Sequence, residues 1–526
     1  MPDSTGRNVP VDLHRLGMDT QEDPLHEASQ PGISLGEAAV SGGLWTALQV
    51  VAVKLVSLGG TLILMHLLSP DVYGIATLAL SVHAMVTVLQ PFTMGDVIVA
   101  RTRDLDRISG TAHRICFVTS LFFALAIAAS GPWVANHYRS PALVYACAWV
   151  ALRPLSDWVI MLPLTRLRAR LRFRAISTLD TFGLTGATVS SVLMAWARLG
   201  YISLLLPQIV FTAIRAWLYR RASPAPRTPA WLKDEARPLF HKFVLSGLGQ
   251  YVHGGLISMT PLIIGTFTGK REVGWYTIAF TMSAQINAVV GFGMGLVLQP
   301  IFAQMGNDLA RQAASFLRAC RLLATLAMPV CLVQAVLAPA AFRLLMPERW
   351  AGAIVLAQIL SLGQAFFFSI NPAIGLLTAQ GRFGTFMLWQ TAQFVLVVVG
   401  MLAAGFYWRE APLVPIVLVG GLYHVVSAPV GVWIAVRRRG ASLGNCLGLF
   451  LRPLLLAGLS VLPVSWVLAS WAGASRDLLS LLLVPPVSLA IFVMLVRRFD
   501  RAAAEDCGRL AQAVTRLVRR HRAGQP

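Results

Sequence analysis

The chain has 526 residues, of which 56% are hydrophobic and 13% charged, and its 44 lysines and arginines outnumber 23 aspartates and glutamates to give a formal net charge of +21. Soluble domains have about 45–50% apolar and about 25% charged residues, so the composition excludes a soluble globular protein. The longest polar connection between apolar stretches, at 220–242, is too short to bury a catalytic core of its own.

Residues 1–36 precede the first apolar stretch and are polar. They are rich in acidic residues, among them Asp3, Asp12, Asp19, Glu22 and Asp23. A signal peptide begins instead with basic residues followed by an apolar run. We therefore expect residues 1–36 to form a disordered extension on the cytoplasmic side.

The remainder of the chain is dominated by apolar stretches of roughly 20 residues, each long enough to cross a hydrocarbon core of about 30 Å as a helix. The predicted spans, numbered 1 to 14, are 43–68, 75–100, 115–136, 142–164, 175–197, 201–219, 243–267, 274–299, 322–341, 351–377, 385–406, 413–435, 453–471 and 478–496. The sequence thus predicts an all-α integral membrane protein with about fourteen transmembrane helices.

The basic residues are distributed asymmetrically between the two sides of the membrane. The loops after even-numbered spans, together with the two terminal segments, hold about 33 of the 44 lysines and arginines, and the loops after odd-numbered spans hold about eight. Basic residues are retained in the cytoplasm, so both termini are predicted to lie there. Charge spread over short loops suits contact with membrane lipids, whereas nucleic-acid binding needs a basic patch on a folded surface. No nucleic-acid partner is predicted.

An offset of about 200 residues aligns the chain with itself, pairing Gly74 with Gly274 and Thr77 with Thr277. An even number of spans separates the copies, so both enter the membrane in the same direction. We predict two parallel six-helix lobes around a central cavity, with two extra C-terminal helices. The predicted divisions are the extension at 1–36, the N-lobe at 37–219, a cytoplasmic inter-lobe loop at 220–242, the C-lobe at 243–436, helices 13 and 14 at 437–496 and a basic cytoplasmic tail at 497–526.

Two basic residues lie deep within predicted spans, Lys54 in span 1 and Arg153 in span 4. A charge at the bilayer centre costs at least about 2.5–3.5 kcal/mol, so each side chain should face a protein interior or a wet cavity. There it could bind an anion. A structural alternative stays open for both: Arg153 and Asp157 are spaced i, i+4 and can neutralise each other, and Lys54 can pair with Asp157 or another carboxylate across the bundle.

Further polar side chains occur within the predicted spans, several at helical spacing on faces that match between the two copies. They are His83 and Gln90 in span 2, Gln250 and His253 in span 7, Asn287 in span 8 and Gln364 in span 10. We interpret the amides as lining the cavity, and the histidines with Asp157 as candidates for coupling or lining. The histidines can also be neutral and hydrogen-bonded within the bundle. The six cysteines show no metal-like or paired spacing, so no metal site is predicted.

Four segments resemble one known family. Residues 67–74, Leu-Leu-Ser-Pro-Asp-Val-Tyr-Gly, resemble the LL-[ST]-P-x-x-[FY]-G signature of bacterial polysaccharide transporters, and Val-Gly-Trp-Tyr at 273–276 repeats part of it. Glu-Arg-Trp at 348–350 and Gly-Arg-Phe at 381–383 continue the likeness. Over about residues 40–440 the chain resembles the Wzx-type oligosaccharide flippases of the polysaccharide transporter family, within the MOP exporter superfamily.

The resemblance implies a flippase that moves an undecaprenyl-pyrophosphate-linked oligosaccharide repeat unit from the cytoplasmic to the periplasmic leaflet of the bacterial inner membrane by alternating access. Such a transporter serves the synthesis of exopolysaccharide, capsule or the O-antigen of lipopolysaccharide. It is not an enzyme and uses no cofactor, although H⁺ or Na⁺ is a candidate coupling ion. Polymerase and chain-length proteins of the same pathway are candidate partners.

The resemblance also implies roles for the polar residues. Lys54 and Arg153 would bind the pyrophosphate, and the amides Gln90, Gln250, Asn287 and Gln364 would bind the sugars. Two other functions stay open. One is a MATE-like ion-coupled exporter of small molecules, which deep carboxylates would favour; the other is a membrane-embedded glycan polymerase or acyltransferase, which a large periplasmic loop would favour.

Overall fold

A computed structural model of the chain describes residues 53–99, 104–170, 172–223, 231–285, 302, 305, 308–367, 370–470, 476–509 and 512. All regular secondary structure within these ranges is helical. Nine of the described helices are long and apolar enough to cross a membrane, and the bent pair Pro70–Val86 and Pro91–Val99 raises the number to ten if it forms one span. The chain is therefore an all-helical, multi-pass membrane protein.

The helices follow one another with short connections. Before residue 224 they are α1 (Val53–Leu67), α2 (Pro70–Val86), α3 (Pro91–Val99), α4 (Leu105–His137), α5 (Ala142–Val150), α6 (Arg153–Ala169), α7 (Phe173–Trp196) and α8 (Ile202–Ala222). After residue 230 they are α9 (Lys233–Phe267), α10 (Lys270–Ser283), α11 (Leu309–Leu345), α12 (Ala353–Phe367), α13 (Ile370–Ala379), α14 (Phe383–Tyr407), α15 (Leu413–Val436), α16 (Leu443–Ala469), α17 (Arg476–Phe499) and α18 (501–509). Helices satisfy their own backbone polar groups, as a lipid environment requires.

Proline and serine mark where several of these helices begin. Ser69 is extended and Pro70 occupies the first turn of α2, where a missing backbone N–H leaves no hydrogen bond unmade. Pro91 begins α3 in the same way, and α2 and α3 meet at 47°. At the start of α16, the Asn445 backbone N–H donates to Ser442 Oγ at 3.2 Å and caps the helix.

Each of the fourteen predicted spans overlaps a described helix. Helices α1, α7, α9 and α10, at predicted spans 1, 5, 7 and 8, do not meet the criterion of length and apolarity over a full span. The described part of α1 begins at Val53, directly after residues outside the described ranges, and α10 ends at Ser283 after 14 residues. Helix α7 carries Asp180, and α9 contains the shorter apolar stretch Gly254–Phe267. The number fourteen therefore stays a prediction.

Helices α2 and α10 cross at two glycines in a reciprocal manner. Gly74 on α2 lies directly against the Lys270 carbonyl oxygen, and Gly274 on α10 lies directly against the Pro70 carbonyl oxygen. A Cβ atom at either position would overlap backbone, which cannot move aside as a side chain can. Small residues allow helix backbones to approach this closely in membrane proteins.

The same crossing joins two other residues that the internal repeat pairs. Thr277 Oγ1 donates to Thr77 Oγ1 at 2.9 Å, so repeat-related hydroxyls meet each other. Contacts between equivalent residues are expected where a local two-fold axis passes between two copies. The residues that the repeat pairs, Gly74 with Gly274 and Thr77 with Thr277, thus lie together at this crossing. The boundaries of the two lobes stay predictions.

The C-terminal helices form a second packing unit. One buried apolar cluster surrounds the α2–α10 crossing, and another contains buried side chains of α11, α15, α16 and α17. Helix α17 is also tied to α11 by a bidentate ion pair, in which Arg343 Nε and Nη2 donate to the Asp477 carboxylate at 2.8 and 2.7 Å. The two helices beyond the repeat therefore pack on α11.

We predict that Gly74→Ala destabilises the protein by at least about 2 kcal/mol, because the added methyl group must displace the Lys270 backbone. The matched control is Gly254→Ala on α9, where a Cβ meets no atom within 4 Å of the described structure. Thermal unfolding of the purified proteins in detergent measures both. Equal melting temperatures for the two variants would contradict the close crossing.

Candidate functional site

The signature-like residues at the α1–α2 junction contact a segment far along the chain. Arg349 Nη2 donates to the carbonyl oxygens of Met65 and His66 at 2.9 and 2.5 Å, and Trp350 Nε1 donates to the Met65 oxygen at 2.9 Å. The last carbonyl groups of a helix lack partners within it, so these donors complete the end of α1. Trp350 is fully buried and packs edge-to-face on Tyr73 with ring centroids 5.3 Å apart. These motif residues hold helices together.

Lys54 lies half-buried on α1. Its ammonium group makes no hydrogen bond or ion pair with the residues that the structure describes. One turn and a half further on, Gly60 brings α1 against the Thr188 methyl group of α7. Further along the same helix, Thr61 Oγ1 donates to the Ser57 carbonyl oxygen at 2.8 Å. Among the described residues, no partner neutralises the Lys54 ammonium, so Lys54 stays a candidate for binding an anion.

Arg153 is the first residue of α6, immediately after the break that separates this helix from α5. The side chain is half-buried, and its Nη1 donates to Gln208 Oε1 on α8 at 3.1 Å. Asp157 lies one turn later and feels the Arg153 charge, yet these two described residues form no ion pair within 4.0 Å. A neutral amide therefore orients this guanidinium, and no carboxylate of the described residues forms an ion pair with it.

His83 adds a third predicted residue to the same neighbourhood. It is buried on α2, its Nδ1 lies 3.1 Å from Thr87 Oγ1, and the Arg153 charge acts on it. His83 and Asp157 belong to two separate predicted spans, and the structure brings both of them within electrostatic range of Arg153.

A neighbouring ion pair joins α7 and α8. Arg215 Nη1 donates to Asp180 Oδ1 at 2.7 Å, and the Tyr219 hydroxyl donates to the same oxygen at 2.8 Å. The Arg215 side chain runs directly over Gly183, which leaves room for it. Arg215 also acts electrostatically on Asp157. Sequence reasoning missed this pair, because Asp180 and Arg215 lie on different helices and the motif patterns mark neither residue.

The other predicted site residues differ in how much of each the structure describes. Gln90 is exposed in the break between α2 and α3. Gln364 is buried on α12 and has interaction partners. The side chains of Gln250 and His253, and all of Asn287, lie outside the described part of the chain.

Two basic residues near the ends of the N-terminal helices, Arg166 and Arg168, differ from Lys54 and Arg153 in having acidic partners. Arg168 pairs with Asp96 at 3.2 Å, and the buried Arg166 lies 3.3 Å from an Asp106 oxygen. Half-buried cations without a carboxylate in contact are costly unless water or an anionic ligand solvates them. Lys54 and Arg153 are therefore the residues in this region best suited to bind an anion.

Comparisons with known proteins agree on the class of protein. A family model described as "Polysaccharide biosynthesis protein" matches residues 63–355. The teichuronic acid biosynthesis protein TuaB of Bacillus subtilis (strain 168) is 21% identical over 413 residues, which are 76% of this chain and 83% of the relative. A membrane protein of the cps region of Klebsiella pneumoniae is 20% identical over 361 residues, covering 66% of this chain and 73% of the relative.

Solved structures share the fold. The lipid II flippase MurJ in an inward closed conformation matches with a TM-score of 0.68 over 86% of this chain and 99% of MurJ, at 10% identity. An inward-facing multidrug resistance MATE family transporter of the MOP superfamily matches with a TM-score of 0.59 over 76% of this chain and 99% of the transporter, also at 10% identity. These similarities identify a transporter fold.

We predict that Asp180→Asn lowers the free energy of unfolding by about 1–3 kcal/mol, because it leaves the Arg215 guanidinium partly buried without its counter-charge. Adding Arg215→Gln should restore part of that loss, so the double variant is more stable than the sum of the single changes implies. Thermal unfolding in detergent gives the three values, and Glu410→Gln, in an exposed turn, is the control. Strict additivity would show that the two groups do not interact.

Proposed function

Because the chain belongs to the family of polysaccharide biosynthesis proteins, we propose that it is a flippase for an undecaprenyl-pyrophosphate-linked oligosaccharide repeat unit. It moves the substrate from the cytoplasmic to the periplasmic leaflet of the bacterial inner membrane, for exopolysaccharide, capsule or O-antigen synthesis. The observation that carries the proposal is the coincidence of this family with a fold that also forms a lipid II flippase. The family description supports a glycan substrate, and the fold is compatible with a lipid-linked one.

The polar groups of the N-terminal helices fit the head of such a substrate. A pyrophosphate carries negative charge, which guanidinium and ammonium groups bind through charge-assisted hydrogen bonds. Lys54 and Arg153 are half-buried, and neither contacts a carboxylate in the described structure. We assign them to the pyrophosphate, and we assign Gln90, Gln250, Asn287 and Gln364 to the sugars. The isoprenoid tail stays in the bilayer.

Transport would proceed by alternating access between an N-lobe at 37–219 and a C-lobe at 243–436. The α2–α10 crossing supports this arrangement, because close backbone contact at one point lets two lobes tilt about it while their far ends separate. Arg153, His83 and Asp157 interact electrostatically in the N-lobe. We propose that this group, with His253 in the other lobe, couples transport to an H⁺ or Na⁺ gradient. In this proposal the helices number fourteen and both termini are cytoplasmic.

The MATE-like fold alone is compatible with an exporter of small cations. Recognition of a cation would use an unpaired carboxylate. Asp180 is bound to Arg215 and Tyr219, so Asp157, which forms no ion pair with the described residues, is the candidate for such a role. The positive charges of Arg153 and Arg215 both act on Asp157 and oppose the binding of a cation there, which favours an anionic substrate.

We predict that Lys54→Ala abolishes export while the protein reaches the membrane at normal abundance, because the cavity loses a cation needed for the pyrophosphate. Lys54→Arg should restore most export, since it keeps the charge. The assay is carried out in the native host and measures the lipid-linked precursor accessible at each leaflet together with surface polysaccharide. Lys242→Ala, at an exposed site on α9, is the matched control.

Normal transport by Lys54→Ala would remove Lys54 from the site. The same assay on Arg153→Gln then decides whether a cationic site exists at all. If both variants transport normally and precursor never accumulates at the cytoplasmic leaflet, the assignment of this anionic substrate fails.

A further inference from the structure

A cavity lined by both apolar and charged side chains lies away from the candidate substrate site, among the C-terminal helices. It has a volume of about 360 Å³ and is enclosed by α11, the first part of α16 and the α17–α18 junction. Cavities of about 300 Å³ and above are large enough for small-molecule ligands. These helix ends adjoin the basic loops, so the distribution of lysine and arginine predicts that the cavity opens at the cytoplasmic surface of the membrane.

Two glycines on one face of α16 leave the space for this cavity. Gly444, Gly448 and Arg452 follow one another at i, i+4 and i+8, so all three lie on one side of the helix. A Cβ at Gly448 would meet no atom within 4 Å, and one at Gly444 would meet only Ser442 Oγ at 3.9 Å. A helix face with two glycines followed by an arginine forms an open groove that ends at a positive charge.

The charges around the cavity favour an anion. Arg321 and Arg452 line it together with Asp500, so the lining carries one positive charge in excess. Asp500 Oδ1 is occupied as the cap of α18, where it accepts from the Ala503 N–H at 3.1 Å. Arg321 shares Asp506 with Arg318 at the long distances of 3.7 and 3.6 Å. Arg452 makes no ion pair with any residue that the structure describes.

An apolar track leads from the cavity into the membrane. The exposed leucines of α16 repeat every fourth residue from the level of the cavity: Leu447, Leu451, Leu455 and Leu459. This spacing forms a continuous stripe along one side of the helix. A molecule with a charged head in the cavity could therefore lay an alkyl chain along α16.

We propose that this cavity binds the phosphodiester head group of an anionic phospholipid of the cytoplasmic leaflet, of the phosphatidylglycerol type. The single negative charge of the phosphate balances the excess positive charge of the lining. In this arrangement Arg452 and Arg321 bind the phosphate. The side-chain oxygens of Asn445 and Asp500 accept hydrogen bonds from the glycerol hydroxyls. Basic pockets between membrane helices on the cytoplasmic side are suited to such head groups. The site is separate from Lys54 and Arg153, so the inference does not depend on the proposed substrate.

The test uses the full chain purified in detergent, titrated with phosphatidylglycerol and followed by native mass spectrometry. Arg452→Gln removes the phosphate ligand, and Gly448→Leu fills the groove. We expect each to weaken binding about tenfold. The matched controls are Arg438→Gln, at an exposed arginine outside the cavity, and Gly458→Leu, at a second open glycine of α16. Melting temperatures identify any variant that fails to fold.

Phosphatidylethanolamine with the same acyl chains should bind at least tenfold more weakly than phosphatidylglycerol, and inorganic phosphate at millimolar concentration should not displace it. Three results would overturn the proposal: unchanged binding in both cavity variants, an equal loss in the controls, or displacement by inorganic phosphate alone. Preferential displacement by undecaprenyl phosphate would also overturn it, because the cavity would then belong to the substrate path.

Discussion

The contact between the α2 and α10 backbones is the constraint on which the rest of the fold depends. Each glycine lies against a carbonyl oxygen of the other helix. Neither helix can therefore turn about its own long axis without a steric collision or the opening of a gap. Apolar side chains supply little attraction between helices within lipid, where close backbone packing and interhelical hydrogen bonds take over. The Thr77–Thr277 hydrogen bond adds this second element at the same point. Tyr73 and Trp350 then pack beside the crossing and connect it to the end of α1.

This crossing also explains which parts of the fold could be predicted. Residues such as Gly74 and Gly274 carry a repeat signal, because two copies that meet on an axis must both tolerate the same approach. Apolar runs long enough to cross a membrane were equally predictable from the sequence, because a chain within lipid has few alternatives to a helix. Helix ends were less predictable. Span 2 is broken into α2 and α3 at Pro91, and α4 begins ten residues before the predicted span 3, because a helix in a membrane protein can continue beyond the apolar core.

The candidate site could be predicted only in part, for a physical reason. A lone basic residue in an apolar span, such as Lys54 or Arg153, stands out because burial of its charge is costly. Whether it is already neutralised depends on residues of other helices, which a single sequence does not reveal. Arg153 has a neighbouring acid in sequence yet binds the amide of Gln208, whereas Arg215, which has no acid within four residues in sequence, pairs with Asp180 across two helices. Pairing across helices therefore distinguishes charged side chains with a structural partner from charged side chains that are candidates for binding a ligand.

That separation bears on how the bundle can work. A charge that is neutralised within one lobe moves with that lobe and costs nothing further when the lobes tilt. The Arg215–Asp180 pair and the Arg168–Asp96 pair are of this kind, since each joins helices of the N-terminal half. An unpaired charge instead changes its solvation as the cavity opens or closes, so its burial is favourable only when an opposite charge accompanies it. Lys54 and Arg153 would then resist closure around an empty site and permit it around an anion. In the proposed mechanism, a cationic cavity of this type couples the movement of the lobes to the presence of substrate through desolvation alone.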